Sequence, residues 1–298
     1  MNEEHSNTNK QAEPEPEEQK SFLQIVVHSF FIVPFLIAVF CVLLFAGMHL
    51  LTRENRSVYD YLNDVKIGGQ SKRWQGAFEL SKILSNTKLY PDDGRFSKEL
   101  IRVYEKSDHD DPRVKQYLAL AMGRTQRDEF VEPLAESLPQ ATEENLPAII
   151  YALGMLKSQR ASENIVPFLN HQDSRVRSIA VVALGEIADP HTVENMKKLL
   201  QDPEPNVQWG SALALARLKD PSGKDVIASL LDRNYLSHFK EVDRDEQHHL
   251  MIAAMEASWS LKDKGLLQRI QKISETDSNL KVRAAAQNII VKYNEQAK

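Results

Sequence analysis

Residues 173–190 read DSRVRSIAVVALGEIADP. Val176, Ile179, Ala180, Ala183, Leu184 and Ile187 recur at the spacing of one helical face. Asp173 or Ser174 offers a side-chain oxygen to the exposed N–H groups of the first turn. Ala180, Ala183 and Gly185 are small enough to let a neighbouring helix approach closely. Asp189-Pro190 ends the element, because proline cannot continue a helix and disfavours helical geometry in the residue before it. The helix then recurs. Ala121-Met122-Gly123, Ala152-Leu153-Gly154, Ala183-Leu184-Gly185 and Ala214-Leu215-Ala216 follow one another at intervals of 31 residues. Three identical intervals identify a repeat array, in which each unit buries its apolar face only against its neighbours.

Outward from that stretch the pattern is two helices per unit. First helices are predicted at 96–106, 129–138, 161–170, 192–201, 223–231 and 265–275, and second helices at 113–124, 144–156, 175–187, 206–218, 247–261 and 281–293. Turn-rich segments join them: His109-Asp110-Asp111-Pro112, Gln172-Asp173-Ser174, Asp202-Pro203-Glu204-Pro205 and Asp277-Ser278-Asn279. Upstream, 72–84 (KRWQGAFELSKIL) reads as the second helix of an incomplete first unit, with Trp74 and Phe78 packing a terminal repeat.

Four starts to second helices resemble the short HEAT-repeat pattern D-P-x-V-R. They are Asp111-Pro112-Arg113-Val114-Lys115, Asp173-Ser174-Arg175-Val176-Arg177, Pro205-Asn206-Val207-Gln208 and Leu280-Lys281-Val282-Arg283. The resemblance covers 72–298 and implies an all-α solenoid of about six to seven two-helix units. It also implies that the aspartate satisfies helix-end amides, the valine is core and the basic residue ties neighbouring units. Glu144-Asn145-Leu146-Pro147 and Gln208 depart from the pattern, so an Asp–Arg ladder is expected to be interrupted. One branch of short HEAT repeats consists of lyases that attach bilins to light-harvesting proteins; the resemblance admits that reading, and the apolar N-terminal run argues against it.

The period breaks once. The position of Ala214 recurs at Ala257, 43 residues on, so twelve extra residues fall within 232–248 (DRNYLSHFKEVDRDEQH). Insertions in solenoids lie in loops on one face, often the binding face. His238, Glu241, Asp243, His248 and His249 are therefore the candidate partner-binding residues. His and carboxylates in one loop suit a divalent metal, yet H-x-x-x-H and H-E-x-x-H are absent, so no metal is assigned.

The N-terminal part is of another kind. Residues 1–21 hold two lysines against six glutamates and almost no apolar residue, which predicts a disordered acidic tail. Residues 22–51 (FLQIVVHSFFIVPFLIAVFCVLLFAGMHLL) carry no Asp, Glu, Lys or Arg, and about 20 residues suffice to cross a bilayer. This run exceeds a typical signal-peptide core and lacks a basic leader, so it is read as an uncleaved transmembrane anchor. His28 and His49 fall at headgroup depth, and Pro34 kinks the span or marks its deepest part; His28 and Pro34 are the candidates for an intramembrane contact. Residues 52–71 are expected to form a juxtamembrane linker with a short helix ending at Gly68-Gly69. Lys10 and Lys20 precede the span and Arg53, Arg56 and Lys66 follow it, a slight lean towards a cytoplasmic C-terminal domain, with a bacterial inner membrane the expected location.

Composition excludes several classes of function. The net charge of −5 lies mostly in the tail, and the remainder mixes both signs without the basic face that nucleic acid requires. The single cysteine, Cys41, lies in the apolar run, so the repeat region can form no disulfide or thiolate metal site. No Gly-rich phosphate loop, G-x-S-x-G or nucleophilic cysteine outside the span appears, and no catalytic residue, cofactor or small-molecule substrate is expected. The expected function is a membrane-anchored, non-catalytic scaffold or adaptor that binds protein partners on the solenoid surface. The alternative is an accessory subunit of a transporter or other multi-span complex, assembled through its transmembrane helix. A lyase-type enzyme is a remote third.

Overall fold

A computed structural model describes residues 28–51, 56–91 and 93–296. The chain divides into two bodies, 1–55 and 56–298. The predicted acidic tail lies outside the described residues.

In the first body a π-helical turn, His28–Ile32, leads into an α-helix, Val33–Leu51. Proline has no N–H to donate, and Pro34 follows directly on the π-helical turn, so the irregular backbone lies where the proline removes a helical hydrogen bond. Residues 30–48 have a mean hydropathy of 2.8 and none of them is buried, so this helix is long and apolar enough to cross a membrane. A signal sequence meets the same description.

The second body is helical throughout its described residues and consists of seven helix pairs, each counted as a unit. Five units follow the predicted pairs closely, among them Arg95–Glu105 with Pro112–Arg124, and Val193–Lys198 with Pro205–Arg217. Asp111 and Asp173 cap their second helices by accepting the N–H of Arg113 at 3.0 Å and of Arg175 at 2.8 Å. Several first helices are short α segments flanked by 3₁₀ turns. Ser162–Ile165 passes into the 3₁₀ turn Val166–Asn170 at Pro167, where an α-helical hydrogen bond is lost.

The array starts earlier than the sequence reading placed it. Val58–Ile67, expected within a linker, buries Val58, Leu62 and Val65 against Gln70–Ile83 and forms the first helix of unit 1. Its apolar residues fall at i, i+4 and i+7, one helical stripe, which requires a partner face.

The recurring small residues have a structural cause. A Cβ at Gly123 would meet Ala152 Cα and O at 2.8 Å, one at Gly154 would meet Ala183 Cα at 2.8 Å, and one at Gly185 would meet Ala214 Cβ at 2.7 Å. Each glycine thus seats the alanine of the next unit, and consecutive second helices pack backbone against backbone. Each of these helices is followed by a left-handed residue: Gln126, Lys157, Ala188, Lys219 and Lys262 have φ of 53–61°. The first four are spaced by the repeat. None is glycine, so the same mild strain recurs at each junction between units.

Candidate functional site

Second helices pack on one another along the stack, whereas first helices of adjacent units touch far less. The more closely spaced layer of a two-layer array forms the inside of its bend. The inner surface therefore consists of those second-helix residues that face away from the first helices. Four of them stand in register at the repeat spacing: Leu120, Tyr151, Val182 and Leu213. All are apolar, all are partly exposed, and Tyr151 is 46% exposed. The core residues beside them, such as Leu118, Ile149, Ala180 and Ser211, are fully buried. The result is a line of partly exposed apolar side chains in register across four units, of which Leu213 also packs against the core around Trp209.

The stripe continues into aromatic side chains at units 1 and 2. The Phe78 and Tyr117 rings meet edge to face at 5.1 Å, Arg113 lies 4.4 Å over the Trp74 ring, and Lys82 lies 5.1 Å over the Phe78 ring. Of the two aromatics expected to pack a terminal repeat, Trp74 packs partly buried against the core, whereas Phe78 is exposed. Between units 2 and 4 the surface deepens into a cavity of about 460 Å³, floored by Gly123 and Gly154 and lined by Arg124, Tyr151, Met155 and Val182. Arg124 donates to the Ser81 carbonyl at 2.6 Å. Beside it Glu186 pairs with Lys157 at 3.2 Å and with Arg217 at 2.9 Å.

The predicted ladder of ion pairs is present and interrupted. Arg177 donates through Nε and Nη2 to both Asp202 carboxylate oxygens at 2.8 Å, tying unit 4 to unit 5. Arg73 pairs with Asp110 between units 1 and 2. Burial pushes the Asp202 carboxyl up, but the Arg177 guanidinium and the Glu204 N–H outweigh it and hold the group below the usual carboxylate range. Gln208, at the next ladder position, donates to the Asp202 carbonyl at 2.6 Å.

The insertion is built into the core instead of forming a free loop. Its first residues form a helix, Arg233–Leu236, and its last begin the long helix Arg244–Leu261. Leu236 is fully buried, and Tyr235 and Phe239 pack on Trp209 of unit 5, with the Trp209 and Phe239 centroids 4.8 Å apart. The Trp209 indole N–H donates to the Tyr235 hydroxyl at 3.1 Å. Arg233 reaches unit 7 and binds both oxygens of Asp277 at 2.5 and 2.7 Å. The ladder position in unit 6 is the buried Met251, so the insertion supplies the guanidinium that this helix lacks.

The five candidate residues of the insertion do not form one constellation. His238 is exposed and its ring meets the Asn234 carbonyl at 2.7 Å. Glu241 and His249 are exposed, and Asp243 caps the long helix by accepting the Glu246 N–H at 2.8 Å. His248 is largely covered and receives the Asn279 side-chain amide at 3.2 Å. Among the described residues no three His, Cys, Asp or Glu side chains group as a metal site. The His28 side chain lies outside the described residues, and Pro34 is exposed. The inner stripe was not identified from sequence, although its register at 120, 151, 182 and 213 was available there.

A model of HEAT repeats matches residues 162–242. The structure is similar to a chain from the complex of CpcE and CpcF of phycocyanin lyase from Nostoc sp. PCC7120, with a TM-score of 0.54 at 17% identity, covering 81% of this chain and 96% of that one. The fold is a HEAT-like α-solenoid. A computationally designed armadillo repeat protein for modular peptide recognition is a more distant likeness, with a TM-score of 0.40 at 16% identity over 80% of this chain and 100% of that one. No curated protein matches the sequence.

Proposed function

We propose that the chain is a non-catalytic scaffold that holds a protein partner at a membrane. The observation that carries this reading is the stripe of Leu120, Tyr151, Val182 and Leu213, an ordered apolar line across the inner layer of a solenoid. Contiguous exposed apolar surface marks interaction sites, and aromatic and arginine side chains such as Trp74, Phe78, Arg113 and Arg124 are the residue types that dominate binding energy. The apolar helix would act by avidity, since tethering to a surface raises the effective concentration of the solenoid there. The likeness to the lyase complex is one of fold at 17% identity and brings no activity with it.

The test is substitution of the stripe in the full chain. Tyr151→Glu with Val182→Glu is expected to abolish partner capture from detergent-solubilised membranes while leaving the thermal midpoint unchanged. Retained capture refutes the assignment of the surface. Exchange of residues 22–51 for an unrelated apolar helix separates the tether from the integral-subunit reading, because only a tether survives the exchange. N-terminal sequencing of the membrane-bound chain settles the signal-sequence reading: a mature chain starting beyond the apolar run would remove the anchor.

A further inference from the structure

We infer that the inner cavity between units 2 and 4 recognises a carboxylate carried by an apolar segment of the partner, with Arg124 as the receptor. This inference rests on the scaffold reading and deepens it. The site combines an unmatched charge with an apolar wall. Arg124 is only partly exposed, and its guanidinium has hydrogen bonds to the Ser81 carbonyl and hydroxyl but, among the described residues, no carboxylate within ion-pair distance. Neighbouring cations are matched: Lys157 and Arg217 by Glu186, Arg113 by Asp111 and Arg175 by Asp173. A guanidinium bonded through one nitrogen keeps donors free in the planar fork that suits a carboxylate.

The surroundings define the remainder of the ligand. Tyr151, Met155 and Val182 line the same cavity, whose floor includes Gly123 and Gly154, each packed against the alanine of the next unit. Tyr117, Leu120 and Arg124 stand at i, i+3 and i+7 of one helix and share a face, which joins the cavity to the Phe78–Tyr117 aromatic pair. An Asp or Glu at Arg124 therefore places neighbouring residues of the same segment over the Tyr151 and Val182 side chains. Glu186 also lines the cavity, but it is already paired with Lys157 and Arg217, so a basic segment would meet the unpaired Arg124 guanidinium, which costs binding. An apolar segment without a carboxylate would cover the guanidinium and leave it desolvated and unpaired.

The test pans a phage library of random 12-residue peptides on the full chain held in detergent, followed by fluorescence anisotropy with the enriched peptides. Enriched peptides are expected to carry Asp or Glu beside aromatic or aliphatic residues. Their affinity is expected to fall at least tenfold in Arg124→Gln, to be largely kept in Arg124→Lys, and to be unchanged in Lys198→Gln on the outer layer. Thermal midpoints of the three variants establish that each is folded. Enriched peptides lacking a carboxylate, equal binding by Arg124→Gln, or no enrichment at all overturns the inference. Stripe-dependent capture of the native partner that is insensitive to Arg124→Gln likewise overturns it, while leaving the scaffold reading intact.

Discussion

Two glycines of this array are expected to respond in opposite ways to the same substitution. At Gly154 an added methyl meets Ala183 Cα at 2.8 Å and Cβ at 2.9 Å, so two helix backbones must separate. Gly154→Ala is expected to destabilise the array by about 1–3 kcal/mol, the usual cost of overpacking. At Gly210 the added methyl meets only Val181 Cγ1, at an ordinary 3.5 Å, and Gly210→Ala is expected to raise stability by up to about 1 kcal/mol through helix propensity. Thermal unfolding of both variants checks the pair, and a shift of the same sign in both refutes the close approach. The Arg177–Asp202 pair makes a prediction in pH. Because the folded Asp202 carboxyl lies below its ordinary value of 3.8, its contribution is fully present above that value and is lost as pH falls through the lower folded one. Arg177→Met leaves a covered carboxylate without its cation, which costs about 3–5 kcal/mol near neutrality. Protonation relieves that cost, so the gap between wild type and variant is expected to narrow steadily from pH 7 to pH 3. Denaturant unfolding at a series of pH values measures it, and a gap independent of pH refutes the role assigned to the pair.

The insertion at 232–248 gives the corresponding argument for an element. Its length was legible from the shift in repeat period, and its polar side chains suggested a binding loop. What the sequence did not convey was its destination: Phe239 and Tyr235 find Trp209, and Arg233 finds Asp277, 44 residues away. Long-range pairs of this kind depend on the stacking angle between units, which no local pattern encodes. The helix pairs themselves were readable because apolar spacing, aspartate caps and the glycine interval all agree on one answer. The helix Val58–Ile67 was assigned to a linker because ten residues carry a short stripe and the partner face had not been recognised. The inner stripe was missed for a different reason: Leu120, Tyr151, Val182 and Leu213 are apolar like the core, and only packing reveals which apolar positions remain uncovered. The structural reading of the insertion is tested by Arg233→Met. Burial pushes the Asp277 carboxyl up, and Arg233 with the Asn279 N–H holds it below its usual range. Loss of the guanidinium around a carboxylate whose side chain is 3% exposed is expected to cost about 3 kcal/mol. Lys240→Ala, at an exposed position in the same insertion, is expected to change stability by less than about 0.5 kcal/mol. Equal effects of the two would return the insertion to the status of a surface loop.

Across the second body as a whole, the packing changes character at the helix Pro205–Arg217. One core cluster runs from Val58 to Leu215 and a second from Trp209 to Ile289, and this helix contributes to both. Its inner-layer contacts explain the change. The glycine that seats the next unit at 123, 154 and 185 becomes Ala216, then Trp259, then Val291 at the corresponding positions, so later second helices cannot approach as closely. The insertion bridges the widened step with the Trp209, Tyr235 and Phe239 rings. In a quasi-one-dimensional array stability is a sum of unit and interface terms, so a weaker interface sets where opening begins. Amide hydrogen exchange on the full chain is expected to be faster across 244–296 than across 112–217, with the step falling near the shared helix. Trp209→Ala removes a buried side chain that typically stabilises by about 3–5 kcal/mol, and Trp209 holds the insertion's Tyr235 and Phe239 in the second cluster. It is expected to accelerate exchange across 224–296 by orders of magnitude while altering 112–187 little. Uniform loss of protection along the whole array would mean that the seven units open as one cooperative body and that the change in spacing at Ala216 carries no energetic weight.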